Sequence, residues 1–158
     1  MEFSGKATIH PILFITGKAS GYITWLILVL ALVDVANLHQ SFGRVYDYIA
    51  LICSLAGVLL IFLSSFSLGR SIRIGLPSEE TILKTKGIYQ FSRNPMYVGA
   101  HLITLSSVFY TLNWWVTLLG IYSYCVYHLI ILGEERFLES RFGSEYLDYK
   151  KRVRRYFF

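Results

Sequence analysis

Gly87-Ile88-Tyr89-Gln90-Phe91-Ser92-Arg93-Asn94-Pro95-Met96-Tyr97-Val98-Gly99 stands where a basic, polar segment gives way to a hydrophobic run. A glycine at each end permits close backbone approach or unusual dihedrals. Pro95 has no N–H to donate and drives Asn94 out of the helical region, while Tyr89 and Tyr97 carry rings with a polar tip. Such a stretch makes a poor plain membrane span and suits the floor of a pocket.

Working outward, the 158-residue chain is 54% hydrophobic and only 16% charged, which is too apolar for an ordinary soluble domain. Four runs approach the ~20 residues that cross a hydrocarbon core: Gly21 to Leu38, Val45 to Leu68, Tyr97 to Asn113 and Trp114 to Gly133. The expected fold is an all-α membrane protein, a compact bundle of about four transmembrane helices with a cytoplasmic C-terminal amphipathic helix. Residues 1–158 form a single integral-membrane domain in this reading. Its parts are an interfacial segment (1–20), two scaffold spans (21–68) and a cofactor and catalytic region (69–158). The third run is the shortest and enters a tight hairpin at Asn113. The apolar patch Pro11 to Ile15 is short for a cleavable signal sequence.

Of the 15 Lys and Arg, all but Arg44 lie in the N-terminal segment, the loop Arg70 to Arg93, or the tail after Gly133. With four spans these regions share one side, expected to be cytoplasmic along with both termini and the active site. The net charge of +5 then reads as a topology signal and as attraction to anionic headgroups; without a recognition module, nucleic acid is not an expected partner. Asp34, His39 and Asp47 read as solvated interfacial groups, and Cys53 and Cys125 as buried packing thiols.

In the fourth span Tyr124, His128 and Glu135 recur at i, i+4 and i+11, near one helix face. Tyr97 and His101 make an i, i+4 pair in the third. The hairpin sets these helices side by side, so a polar cleft follows if both faces point inward. Histidines that merely cross-link helices are the plainer reading of His101 and His128. The ligand spacing of a metal site is absent, and none is expected. From Glu134 onward Leu138, Phe142, Tyr146, Tyr149 and Val153 form the apolar stripe of an amphipathic helix, bent at Gly143, that lies on the membrane or caps the bundle. The basic run Lys150 to Arg155 suits a lipid phosphate or a carboxylate, or serves topology alone.

Taken together, Leu83, Gly87, Tyr89, Arg93, Pro95, Tyr97 and Gly99, a hydrophobic hairpin, Glu134-Glu135, Phe142-Gly143, Tyr146, Tyr149 and Lys150-Lys151-Arg152-Val153 resemble a known family. It is the isoprenylcysteine carboxyl methyltransferase and phospholipid methyltransferase group of integral-membrane enzymes. Asn94 and Thr81 stand where that family often has histidine. The resemblance implies a helical bundle whose cytoplasmic ends, connecting loop and C-terminal helix enclose S-adenosyl-L-methionine, with no Rossmann sheet. It implies cofactor contacts from Thr81, Leu83, Gly87, Tyr89, Asn94, Pro95, Tyr97, Gly99, Glu134 and Glu135. Glu135 and Arg152 would be catalytic, Arg152 binding an anionic substrate group. The implied partner is a lipid or a prenylated small molecule or protein, and the likeness of Glu145 to Val153 favours an isoprenylcysteine carboxylate. An amine-bearing phospholipid is the alternative. A sterol reductase using NADPH and a non-catalytic membrane scaffold are the competing classes.

Overall fold

The computed structural model describes residues 9–35, 38–39, 43–68 and 82–157. They form α1 (Pro11–Leu32), α2 (Arg44–Leu68), a 3-10 turn (Gly87–Gln90), α3 (Pro95–Thr111), α4 (Trp114–Phe142) and α5 (Ser144–Arg152). Among the described residues there is no strand, and the chain is an all-α membrane protein.

Three helices, α1, α2 and α4, are long and apolar enough to cross a membrane. Four spans were expected; α3, with 17 residues, is the short one, reaching about 25 Å at 1.5 Å per residue, at the lower end of the length of a span. A second difference concerns the first span, which runs from Pro11 to Leu32 instead of Gly21 to Leu38. Pro11 opens the helix where its missing donor costs nothing. Residues 11–20, expected at the interface, stay helical because their small side chains pack on α4: Gly17 lies against Val126, and Ser20 Oγ donates to the Leu119 carbonyl at 2.8 Å. A third difference is that α4 continues past Gly133 to Phe142. Gly143, at φ 53°, breaks it there, so the amphipathic tail begins as a continuation of the fourth span.

The bundle is inside-out relative to a soluble domain. Large apolar side chains such as Leu26, Leu55, Phe62 and Phe66 are exposed, while Thr24, Ser64, Ser106, Ser107, Thr111 and Ser123 are buried. Lipid solvates the former as well as a protein core does, so helices associate through close packing and hydrogen bonds between small residues. Ser107 Oγ donates to the Thr24 carbonyl at 2.8 Å, Ser106 Oγ to the Ala50 carbonyl at 2.7 Å, and Trp25 Nε1 to Thr104 Oγ1 at 3.0 Å. The cysteines take no part in the core: contrary to expectation Cys53 is half-buried and Cys125 exposed, both as free thiols.

The tightest crossing joins α2 to α3 through two glycines. A Cβ on Gly57 would lie 2.8 Å from the Gly99 carbonyl oxygen, and one on Gly99 would lie 2.7 Å from that of Gly57. Backbone cannot yield as a side chain can. Gly57→Leu should therefore lower the unfolding temperature in detergent by the equivalent of ~1–3 kcal/mol or more. Gly120→Ala, whose Cβ would meet two side-chain methyls, Thr104 Cγ2 at 3.1 Å and Val108 Cγ2 at 3.4 Å, should cost clearly less; equal losses would refute the backbone contact as the constraint.

Candidate active site

The α3–α4 hairpin fixes the frame of the site. Leu112 takes φ 44°, and the Asn113 carboxamide oxygen accepts from the Trp115 and Val116 amides at 2.9 and 3.4 Å, so the two helices run antiparallel as the sequence suggests. The first residues of α3 thereby meet the last turns of α4. Pro95 starts α3 and Asn94 before it is non-helical, with φ −132° and ψ 48°.

A cavity of about 410 Å³ opens at this end of the bundle. Lys18, Tyr22 and Trp25 of α1 form one wall, and Met96, Tyr97 and Ala100 of α3 another. Glu134 and Glu135 of α4 face them, Leu83 and Tyr89 close the loop side, and Tyr146 and Tyr149 of α5 cap it. Consecutive on one helix, the two glutamates project about 100° apart and meet different partners.

Glu135 is buried and locked. Its Oε1 accepts from Arg93 Nη2 at 2.9 Å and Asn94 Nδ2 at 3.2 Å, and its Oε2 from Arg155 Nη2 at 2.9 Å. Arg93 Nη1 also donates to the carbonyls of Lys150 and Val153 at 3.1 and 2.9 Å, and the Arg93 amide to that of Arg154 at 2.9 Å. These bonds strap the tail beyond α5 over the turn preceding α3. The hydrogen bond to Glu135 raises the pKa of Arg155 further above its usual range.

Glu134 is less committed. One oxygen accepts from the Tyr97 hydroxyl at 2.7 Å, and no protein donor among the described residues reaches the other. Burial pushes the phenol of Tyr149 up to about 12 and that of Tyr146 higher still, so both keep their protons. Tyr149 donates its proton to the Tyr89 carbonyl at 2.6 Å. Tyr146 is among the lining residues, but its hydroxyl is fully buried, with no partner among the described residues.

Of the residues implicated by sequence, Leu83, Tyr89, Asn94, Tyr97, Glu134 and Glu135 come together on this lining. Pro95 and Gly87 act on the backbone around it: Gly87 takes φ 66°, and a Cβ there would stand 2.8 Å from Ser67 Oγ at the end of α2. Gly99 faces Gly57 instead. Arg152 is exposed, its Nε bonded to the Asp148 carbonyl at 3.2 Å, and is not on the lining. Thr81 lies outside the described residues. The face expected for Tyr124, His128 and Glu135 divides. Tyr124 and His101 line a separate cavity of about 230 Å³, and His128 Nδ1 pairs with the Tyr156 hydroxyl at 2.7 Å under the tail. Sequence reasoning missed the α1 wall and Arg155. A lone lysine in an apolar run was the available signal for the first; nothing distinguished Arg155 within its basic cluster.

Fold and site define an all-helical integral-membrane protein with an aromatic, acid-bearing cavity at one end of its bundle. The family model described as phospholipid methyltransferase matches residues 46–145, while no curated protein and no solved structure matches the chain. The chain belongs to the phospholipid methyltransferase family, integral-membrane methyltransferases that include the isoprenylcysteine carboxyl methyltransferases. That membership supports a membrane methyltransferase acting on lipid-like substrates.

Glu135→Ala would leave the Arg93 guanidinium, 7% exposed, without its carboxylate. The expected cost is about 3–5 kcal/mol of stability, with faster proteolysis at 153–157. Arg155→Met should cost less, since that side chain is 32% exposed. Thermal unfolding with limited proteolysis measures both, and an intact tail in Glu135→Ala would refute the strap.

Proposed function

We propose that the protein transfers a methyl group from S-adenosyl-L-methionine to a lipophilic membrane acceptor, with the cofactor seated in the 410 Å³ cavity. The observation that carries this is a half-engaged carboxylate, Glu134, set among tyrosine rings in a space of ordinary small-molecule size. A cofactor bearing an ammonium group, a carboxylate, ribose hydroxyls and a sulfonium finds a counterpart for each kind of group here. Bound there, it would supply a methyl carbon open to in-line displacement, which requires positioning more than acid–base chemistry.

The residues divide that work. Glu134 accepts from the cofactor's amino group, its carboxylate oriented by the Tyr97 hydroxyl. Tyr97, Tyr127 and Tyr89 offer ring faces to the sulfonium charge. Glu135, with both oxygens occupied by guanidinium groups, holds the enclosing elements together. The α5 cap excludes water. The positive-inside distribution supports a cytoplasmic location for this end of the bundle.

For the acceptor, the geometry favours the amine of a phospholipid headgroup. Arg152, the residue expected to hold a prenylcysteine carboxylate, turns outward to Asp148 and is not on the lining. The isoprenylcysteine carboxylate remains the second reading, favoured by the likeness of Glu145 to Val153, the segment that forms α5.

Purified protein should be stabilised against heat by S-adenosyl-L-methionine and S-adenosylhomocysteine but not by NADPH. Glu134→Gln should weaken the cofactor's affinity roughly tenfold or more, as expected for losing a charged hydrogen bond. Methyl transfer to phosphatidylethanolamine should exceed that to a farnesylcysteine analogue. Stabilisation by NADPH alone would support a reductase, and stabilisation by none of the three would support a scaffold; either overturns the proposal.

A further inference from the structure

Among the described residues, Lys18 is the only cation that the long membrane helices bring to the cavity lining, and it comes from α1, outside the 46–145 family match. The rotation of α1 puts it there. Gly17, Ser20 and Gly21 are committed to α4, against Val126, Leu119 and Ser123, so the adjoining face carrying positions 18, 22 and 25 turns to the cavity. The Lys18 ammonium lies over the Phe14 ring, 4.2 Å from its centroid. Among the described residues it has no hydrogen bond and no ion pair, and the charge it feels is that of Glu134 across the space. Arg93, the other helix-adjacent cation there, is consumed by Glu135 and two carbonyls. Lys84 also reaches the lining, from an irregular segment before the 3-10 turn.

An ammonium half-removed from water, with a ring face beneath it and no hydrogen-bond acceptor among the described residues, is under-coordinated, since its three donors face a largely apolar space. With Glu134 opposite, the walls carry one free anion site and one free cation site. We propose that Lys18 binds the anionic oxygens, carboxylate or phosphate, of the ligand that fills this cavity, opposite Glu134 as the seat of an amino group. The assignment rests on the cavity being the methyl-transfer site. Two sources supply such oxygens: the amino-acid carboxylate of the cofactor, or the headgroup phosphate of the acceptor. Both pair an anion with a nearby amine, which is the pattern of charge the walls present.

The experiment uses the full chain in lipid nanodiscs and compares Lys18→Gln, Lys18→Met, Lys18→Arg and Lys84→Gln with wild type. Dissociation constants are measured for S-adenosyl-L-methionine and its decarboxylated analogue, and KM for phosphatidylethanolamine at saturating cofactor. If the cofactor's carboxylate is the partner, the neutral variants bind S-adenosyl-L-methionine roughly tenfold or more weakly, bind the decarboxylated analogue as wild type does, and Lys18→Arg restores affinity. If the lipid phosphate is the partner, cofactor affinity holds while KM for the lipid rises by a similar factor. Lys18→Met keeps the apolar stem over Phe14, so it reports the charge should Lys18→Gln fold poorly. Unchanged constants in both neutral variants overturn the proposal, as does a loss confined to Lys84→Gln. Wild-type protein that binds neither ligand overturns the methyltransferase reading itself, and this assignment with it.

Discussion

A single buried carboxylate organises this end of the molecule. Glu135 sits between Arg93 and Arg155 with its side chain 5% exposed, and Asn94 adds a third donor. Ionised groups at this depth are tolerable only when paired and hydrogen-bonded. The pairing joins three stretches distant in sequence: the turn before α3, the last turns of α4 and the tail after α5. Arg93 carries the strap furthest, because its remaining donors hold the carbonyls of Lys150 and Val153. Removing Glu135 would strand the buried Arg93 guanidinium, so the three stretches are tied through this one carboxylate.

That lock determines what the neighbouring acid is free to do. Glu134 and Glu135 are chemically identical and adjacent, yet helix geometry sends them to different sectors. One is saturated by two guanidiniums, and the other keeps an oxygen available beside a tyrosine hydroxyl. Closure by the first creates the enclosed space that the second faces. The cap is itself aromatic: Tyr149 anchors to the Tyr89 carbonyl, and Tyr146, on the same face of α5, is fully buried beside it.

Much of this was legible in the sequence, for physical reasons that also explain what was not. Hydropathy reveals α2 and α4, since uninterrupted apolar runs of that length have few other uses. Asn113 marks the hairpin because a carboxamide can cap the helix that follows it. The Gly87 to Gly99 motif and Glu134-Glu135 carry the family signal, and the family match covers them. The start of α1 was illegible because what keeps residues 11–20 helical is contact of Gly17 and Ser20 with α4, not local hydropathy. Within Lys150 to Arg155 every cation looks alike in sequence. Only the path of the chain after α5 decides that Arg155 reaches Glu135 while Arg152 turns back to its own helix. The exposed Cys125 shows a similar limit: in a lipid-facing bundle an apolar run does not say which of its residues face inward.

The cavity itself follows from a mismatch in helix length. Leaving the same two-residue hairpin, α3 runs back for 17 residues and α4 for 29. At 1.5 Å per residue α4 therefore overhangs the start of α3 by about 18 Å, and the overhang begins near the position of Glu134. No helix of α3's own chain direction fills the space beside it. The 3-10 turn and α5 fold into that space, being short and polar enough to end a bundle, and they leave a hollow where a continuous helix would have packed solid. Pro95 sets the shortfall, because the residue before a proline resists the helical region and Asn94 leaves it. Extending α3 by two turns would bury the glutamates against backbone and erase the site, so a short third helix is the condition for having a pocket at this end of the bundle.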